Sequence, residues 1–154
     1  DRLVDAHGID PALLELEITE SAAMQDPERS RALLIELRSR GFKVAIDDFG
    51  TGYSSLSYLK LFEIDRIKID RGFVKDIESD PNDAVIVAAT IALAHSLGLG
   101  VVAEGVETQA QRDFLSAKQC DEAQGYLFAR PMPVAQFEAM VRSVSMAPAD
   151  VMPA

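Results

Sequence analysis

Short apolar runs alternate with longer amphipathic segments along the chain, and this alternation restricts the possible folds more than any other feature of the sequence. Five runs have the length and residue types of β-strands, and a segment with helix signals follows each of them. Because each helix carries the chain back to the edge at which the next strand starts, such a chain forms parallel strands. The predicted strands are residues 14–18, 43–46, 66–70, 100–103 and 122–124.

Glycines and capping residues mark the ends of the helical segments. Gly8, Gly41 and Gly98 each follow a periodic run, as glycine does at a helix C-terminus. Thr108 stands three residues before Gln111, which is the pattern of a capping box at a helix N-terminus. The predicted helices are residues 2–6, 27–40, 56–61, 82–97 and 134–144, and one that begins after Thr108.

Repeated strand–helix units occur both in doubly wound α/β sheets and in (β/α)8 TIM-type barrels. A complete barrel needs eight units and about 250 residues, whereas this chain has five units in 154 residues. The sheet is therefore either open or lacks two or three N-terminal units of a barrel. The chain starts at Asp1 rather than at a methionine, and we expect it to be a piece of a longer protein.

The charge balance limits the class of partner. Asp and Glu number 25 against 15 Lys and Arg, which gives a formal net charge of −10. A protein that coats a nucleic-acid polymer presents a basic surface, so that function is disfavoured. The most apolar stretch, residues 84–94, is too short to span a bilayer, and we expect no membrane insertion. With one cysteine and no recognisable signal peptide, the chain is expected in the cytoplasm.

Polar residues stand at the C-terminal end of every predicted strand. In parallel α/β folds these ends line the binding site, so we expect the side chains to converge. A lone acid at a strand end is usually a solvated cap or half of a surface ion pair, but five consecutive strands that end in this way favour a site. The residues are, strand by strand, Glu17 and Glu20; Asp47 and Asp48; Lys68 and Asp70; Glu104 and Glu107; and Gln124.

Converging carboxylates raise one another's pKa values unless a positive charge lies between them. Oxygen ligands without Cys or His favour Mg2+ or Mn2+. Adjacent Asp47 and Asp48 would point to opposite faces of a straight strand, but a turn at the strand end would let one of them bridge two cations. Two neighbouring cations are typical of displacement at phosphorus, and Lys68 close to them would orient water or stabilise phosphate charge.

Other polar features are weaker indications of function. Asp70 and Glu107 fit supporting roles, in ion pairs or with backbone amides. His7 and His95 lie in predicted helices without a nucleophilic serine in a suitable context, so a hydrolase triad is disfavoured. The glycine-rich stretch at 49–55 lacks the full phosphate-binding pattern and is predicted to form a mobile active-site loop.

Five motifs, in family order and spacing, make the chain resemble the EAL domain family. The motifs are Glu17-Ile18-Thr19-Glu20-Ser21, Asp47-Asp48-Phe49-Gly50-Thr51-Gly52, Lys68-Ile69-Asp70, Ala103-Glu104-Gly105-Val106-Glu107-Thr108 and Gln124-Gly125-Tyr126. The resemblance covers residues 2–143 and implies the C-terminal part of a modified (β/α)8 barrel. EAL domains are bacterial phosphodiesterases, so the resemblance implies metal-dependent hydrolysis of cyclic di-GMP to linear pGpG.

The resemblance also implies a role for each retained residue. Glu17 and Asp47 look like ligands of one Mg2+ or Mn2+ ion, with Asp47 bridging to a second ion. Asp48 and Glu104 would complete the protein ligands of that second ion. Lys68 resembles the lysine that orients the attacking water.

Further positions match residues that act indirectly. Glu20 resembles the glutamate that anchors the loop at 49–55. Gln124 resembles a polar residue at the substrate end of the pocket, and Glu107 and Asp70 resemble supporting acids.

One departure from the family concerns the N-terminal motifs. The Glu-Ala-Leu motif and the asparagine of the following unit, both sources of cation ligands, have no counterpart in this sequence. We therefore expect a partial EAL domain over residues 1–146, a flexible tail over 147–154, and weak or no activity of the chain alone. Two alternatives stay open: a cyclic di-GMP receptor without turnover, and a structural fragment that forms a homodimer or is complemented by the missing N-terminal part.

Overall fold

The computed structural model describes residues 2–52 and 56–145. Five strands lie in this part of the chain: β1 Glu15–Thr19, β2 Lys43–Phe49, β3 Arg66–Ile69, β4 Gly100–Glu104 and β5 Glu122–Gln124. The described helices are α1 Arg2–His7, α2 Glu20–Gln25, α3 Pro27–Ser39, α4 Leu56–Leu59, α5 Arg71–Lys75, α6 Pro81–Ser96, α7 Gln109–Ala117 and α8 Val134–Ser145. At least one helix follows every strand, so the predicted alternation is confirmed.

The strands are all parallel, and their order across the sheet is β1-β2-β3-β4-β5. In a doubly wound sheet the strand order reverses at a switch point, whereas here each strand pairs with its neighbour in sequence. Sequential order is the arrangement of a (β/α)8 barrel. The predicted α/β class, with five units of an incomplete barrel, is confirmed.

The two faces of the sheet differ in chemistry because side chains alternate along a strand. The face toward the helices is apolar and packs with α2, α3, α6 and α7; its residues include Val44, Ile46, Ile67, Ile69 and Val101. The opposite face, called the inner face below, carries charged side chains in ion-pair contact with one another. These are Glu15, Glu17, Asp47, Arg66, Lys68, Glu104 and Glu122.

Two short helices that the sequence analysis missed start directly after β1 and β3. Thr19 caps α2, since its hydroxyl accepts a hydrogen bond from Ala22 N at 3.3 Å. Asp70 caps α5, since its Oδ1 accepts a hydrogen bond from Gly72 N at 2.8 Å. The residue after the last apolar residue of each of these two strands thus caps a helix, so the strand signal and the helix signal overlap in the sequence.

β2 is longer than predicted. We expected it to end at Ile46, but the strand continues to Phe49, which is buried and not part of a loop. The pairing of β2 with β3 shifts register between these two residues, and Asp48 adopts a left-handed backbone with φ of 54°. Residues 53–55 of the predicted loop, and the predicted tail at 147–154, lie outside the described residues. The remaining predicted boundaries differ from the structure by at most two residues.

Two aspartates join neighbouring strands at the N-terminal end of the sheet. Asp65 Oδ2 accepts a hydrogen bond from Val44 N at 2.9 Å, and Asp121 Oδ2 accepts one from Val101 N at 2.8 Å. Each aspartate precedes one strand and binds the backbone of the strand beside it. These bonds hold the strand starts in place and leave the C-terminal ends free for chemistry.

α6 is the apolar segment noted in the sequence, and it is a core helix as predicted. Val87, Ile91 and Ala94 are buried against the apolar face of the sheet. Within residues 2–52 and 56–145, no helix combines the length and the apolar character that a membrane crossing requires.

Gly125 occupies a position where the fold leaves no room for a side chain. A Cβ there would lie 2.1 Å from Val106 O and 2.3 Å from Val106 N. We predict that Gly125→Ala lowers the free energy of unfolding by about 3 kcal/mol, because the backbone of Val106 must move. Gly100→Ala is the matched control, since its Cβ would meet Arg66 Cγ at 3.4 Å. Urea denaturation measures both variants, and equal stability would contradict the prediction.

Candidate active site

Lys68 lies at the centre of the inner face, among three carboxylates from three different strands. Its Nζ is 2.7 Å from Glu17 Oε1 of β1 and 2.7 Å from Glu104 Oε1 of β4. Asp47 Oδ1 of β2 lies 3.1 Å away. The lysine side chain is only 7% exposed, whereas its partners reach solvent to different extents: Glu104 is 21%, Asp47 22% and Glu17 46% exposed. The convergence expected from the strand ends is therefore present, with an ammonium group at its centre.

The charge of Lys68 is held firmly. Burial by itself lowers the pKa of Lys68, but hydrogen bonds with Glu104 and Glu17 outweigh burial and hold the pKa well above its usual range. The side chain is therefore a permanent cation in this arrangement. It can donate hydrogen bonds and stabilise negative charge, and it does not serve as a base.

Asp47 has a carboxylate oxygen without a hydrogen bond. Oδ1 is buried and accepts no hydrogen bond within the part of the chain that the structure describes. The contact of this atom with Lys68 Nζ at 3.1 Å is an ion pair. Buried carboxylate oxygens are rarely left in this state, so Asp47 Oδ1 has the capacity to bind one further positive group.

Asp48 lies beside Asp47 and Asp70 because its left-handed backbone turns the end of β2. Burial, the negative charges of Asp47 and Asp70, and a hydrogen bond with Asp70 raise the pKa of Asp48. The charge of Lys68 only partly opposes this effect. The site thus holds more negative than positive charge near Asp48.

The chemistry of these side chains fits a hard divalent cation. The acidic side chains around Lys68 offer only carboxylate oxygens, including Asp47 Oδ1, which has no hydrogen bond among the described residues. Such ligands suit Mg2+ or Mn2+. Within the described residues, no three acidic, histidine or cysteine side chains are arranged to hold a cation. In this structure Lys68 neutralises the carboxylates instead. A cation would therefore compete with Lys68 for the same oxygens.

Glu20 connects the start of α2 with the segment that follows β2. Its carboxylate is 1% exposed, and Oε2 accepts a hydrogen bond from Gly50 N at 2.7 Å. A Cβ at Gly52 would lie 2.8 Å from Glu20 Oε1, so the backbone passes close to the carboxylate. This contact is the one expected of a loop anchor, and the catalytic consequence stays a prediction.

The other predicted site residues lie at the rim of the inner face. Asp70 caps α5 and contacts Asp48. Gln124 pairs with Glu104 across β4 and β5, and both residues, with Glu107, line an open cleft of about 180 Å³. The Glu107 side chain is exposed. The cleft also contains Arg71 and Tyr126, whose side chains the sequence analysis did not single out.

Gln111 supports the segment after β4, and its wider role was missed in the sequence. Its buried Oε1 accepts hydrogen bonds from Glu107 N at 2.7 Å and Thr108 N at 3.0 Å. Its Nε2 donates a hydrogen bond to Lys75 O at 3.1 Å. The capping box predicted the first half of this network, but the contact with α5 has no signal in the local sequence.

Comparison with known proteins decides the family. A family model described as EAL domain matches residues 1–131. The chain belongs to the EAL domain family. The resemblance drawn from the five motifs is confirmed.

Curated relatives of this EAL domain chain include two proteins of Pseudomonas aeruginosa. MucR, a bifunctional diguanylate cyclase/cyclic di-GMP phosphodiesterase, is 50% identical over 135 residues, which are 88% of this chain and 20% of MucR. NbdA, a cyclic di-GMP phosphodiesterase, is 48% identical over 136 residues, which are 88% of this chain and 17% of NbdA. The chain therefore spans about a fifth of the relatives that it matches.

Solved structures agree with the fold and show what related domains bind. The MucR phosphodiesterase in complex with c-di-GMP has a TM-score of 0.86 and 48% identity, over 88% of this chain and 55% of that one. Klebsiella pneumoniae BlrP1 in a manganese/cy-diGMP complex has a TM-score of 0.77 and 41% identity, over 84% of this chain and 34% of that one. A calcium complex of BlrP1 is equally similar in sequence, at 41% identity.

Removal of the Glu20 carboxylate is predicted to release the segment after β2. In Glu20→Ala the amide of Gly50 loses its charged acceptor, and we expect a loss of stability of about 1.5–3 kcal/mol, the range for a hydrogen bond to a charged group. Amide exchange of residues 49–52 should accelerate. Exposed Glu63, changed to alanine, is the control. Hydrogen exchange followed by mass spectrometry measures the difference, and unchanged protection in Glu20→Ala would contradict the anchoring contact.

Proposed function

We propose that this chain is part of a domain that hydrolyses cyclic di-GMP to linear pGpG in a reaction that depends on Mg2+ or Mn2+. The observation that carries the proposal is the convergence of Glu17, Asp47 and Glu104 on the buried Lys68 of the polar inner face. The names of the relatives support the substrate, since MucR and NbdA are both described as cyclic di-GMP phosphodiesterases.

The residues that would hold the cations are Glu17, Asp47, Asp48 and Glu104. Asp47 would be the most available of these ligands, because its buried Oδ1 has no hydrogen bond among the described residues. The manganese complex of BlrP1 with the cyclic dinucleotide supports a divalent cation in this family. When bound, two such cations neutralise the phosphate and make a water molecule more acidic.

Lys68 would change partners during the reaction. Once its three carboxylates are engaged elsewhere, the ammonium group is free to donate hydrogen bonds to the attacking water or to a phosphate oxygen. As the oxygen of that water forms a bond to phosphorus, the water gives up one proton. The ester bond in line with it breaks, and the released ribose oxygen takes up one proton, so the protons balance. In that position the ammonium group orients the water and stabilises negative charge on the phosphate.

Residues at the rim would position the substrate and the loop. Gln124 lies at the open cleft beside Glu104, where it can hydrogen-bond a nucleotide. Glu20 would hold the segment after β2 in register with the cation ligands through Gly50. Asp70 and Glu107 would act through their neighbours, Asp70 by its contact with Asp48.

A second candidate is a receptor that binds cyclic di-GMP without cleaving it. It is favoured by the arrangement of the carboxylates, which surround Lys68 and leave no ready-made cation site among the described residues. Assembly is a related question, since β1 and β5 each pair with only one described strand. Open parallel edges attract further strands, and we propose that a second copy or an N-terminal part of the domain completes the sheet.

Hydrolysis should depend on Lys68. In the longest natural form of the protein that contains this chain, with Mn2+ and cyclic di-GMP, we expect linear pGpG as the product. Lys68→Met should lower kcat by about 100- to 1,000-fold, the loss typical of one donor to a charged transition state. Exposed Lys60, changed to methionine, is the matched control and should keep normal turnover.

Chromatography of the nucleotides after incubation measures turnover, and calorimetry measures binding. No pGpG from the unmodified protein would overturn the proposed hydrolysis. Tight binding without turnover would establish the receptor instead.

A further inference from the structure

Arg66 connects the two outermost strands of the sheet from its centre. Its Nε lies 3.2 Å from Glu15 Oε2 of β1, and one terminal nitrogen lies 2.7 Å from Glu122 Oε1 of β5. Arg66 itself belongs to β3, which pairs with neither of these strands. One guanidinium group therefore bridges strands that the backbone hydrogen bonds do not join.

The neighbours of Arg66 leave room for this bridge. In register beside it are Ala45 of β2 and Gly100 of β4, the smallest side chains available. A Cβ at Gly100 would lie 3.4 Å from Arg66 Cγ and 3.9 Å from Nε, so the arginine lies directly over the glycine. Longer side chains at these two positions would block the path of the guanidinium toward β1 and β5.

The bridge lies one layer below the candidate active site. Two residues further along a strand the side chains point to the same face, about 7 Å away. The residues two positions after Glu15, Arg66 and Glu122 are, in the same order, Glu17, Lys68 and Gln124. The lower layer thus uses β1, β3 and β5, three of the five strands that carry predicted site residues, with arginine in place of the central lysine.

We propose that Arg66 is a positioning residue that sets the separation of β1 and β5, and through it the distance between the cation ligand Glu17 and the substrate residue Gln124. The proposal rests on the function proposed above. The arginine acts through Glu15 on β1 and through Glu122 on β5, and it touches neither substrate nor cation. The planar fork of arginine can contact both carboxylates at once, whereas the point charge of lysine contacts one at a time.

This role differs from that of an ordinary surface ion pair. Partly exposed pairs contribute little to stability, so we expect loss of Arg66 to change the melting temperature only slightly. Misplaced ligands, in contrast, reduce activity strongly even when the shift is small. The signature of a positioning residue is therefore a loss of binding without a matching loss of stability.

The test uses the longest natural form of the protein and compares Arg66→Met with Arg38→Met. Arg38 is the matched control because it is 38% exposed against 36% for Arg66, and it pairs with Asp65 at 3.4 Å at the same end of the sheet. Calorimetry measures two affinities: that for Mn2+ without nucleotide, and that for cyclic di-GMP in the presence of Ca2+. We expect both affinities to fall about tenfold or more in Arg66→Met and to stay unchanged in Arg38→Met.

The two arms of the bridge can be separated. Glu15→Gln should weaken Mn2+ binding more than cyclic di-GMP binding, because it releases β1 and Glu17. Glu122→Gln should weaken the nucleotide more and raise KM with little change of kcat, because it releases β5. Arg66→Lys should restore part of the loss. These three variants keep the test decisive if Arg66→Met does not fold.

The proposal is overturned if Arg66→Met and both glutamine variants bind Mn2+ and cyclic di-GMP as tightly as Arg38→Met does. This holds even if the unmodified protein hydrolyses cyclic di-GMP. If the unmodified protein binds cyclic di-GMP but does not hydrolyse it, the proposed hydrolysis fails, and the binding measurements still decide the role of Arg66.

Discussion

The ion pairs of Lys68 are the interaction on which the inner face depends. Three carboxylates from three strands approach one ammonium group, and without a positive charge there they would repel one another. The same property makes the site convertible. In the proposed reaction, a divalent cation bound to these oxygens would take over the neutralising role and would leave Lys68 able to act on a phosphate. Structure and chemistry thus depend on one set of charges.

Stability and function lie on opposite faces of the sheet. In most (β/α)8 barrels, branched apolar side chains fill the interior. Here the described strands place most of their apolar residues against the helices, and the inner face holds two layers of charge centred on Arg66 and Lys68. Because most of the apolar core lies on the other face, the inner face can carry closely spaced acids. In the account proposed here, the lower layer sets the separation of the outer strands, and the upper layer holds the groups suited to the reaction.

Sequence alone predicted the features that depend on periodicity. The five strands and the long helices follow from apolar spacing, and the convergence on Lys68 follows from parallel strands with polar ends. The turn at Asp48 was not predictable, because a left-handed backbone at a residue with a side chain is imposed by the shifted pairing of β2 and β3. The bridge made by Arg66 was also missed, since a charge at the start of a strand looks like an ordinary surface residue until the fold brings β1 and β5 within its reach.

The exchange of Lys68 for a cation is the central claim, and crystallography with Mn2+ tests it most directly. Crystals of the longest natural form of the protein, grown with Mn2+ and cyclic di-GMP, should show anomalous scattering from manganese beside Glu17, Asp47, Asp48 and Glu104. Lys68 Nζ should then have left at least one of its carboxylate partners and point toward the phosphate. Absence of manganese at these residues, with Lys68 still in contact with all three carboxylates, would contradict the account.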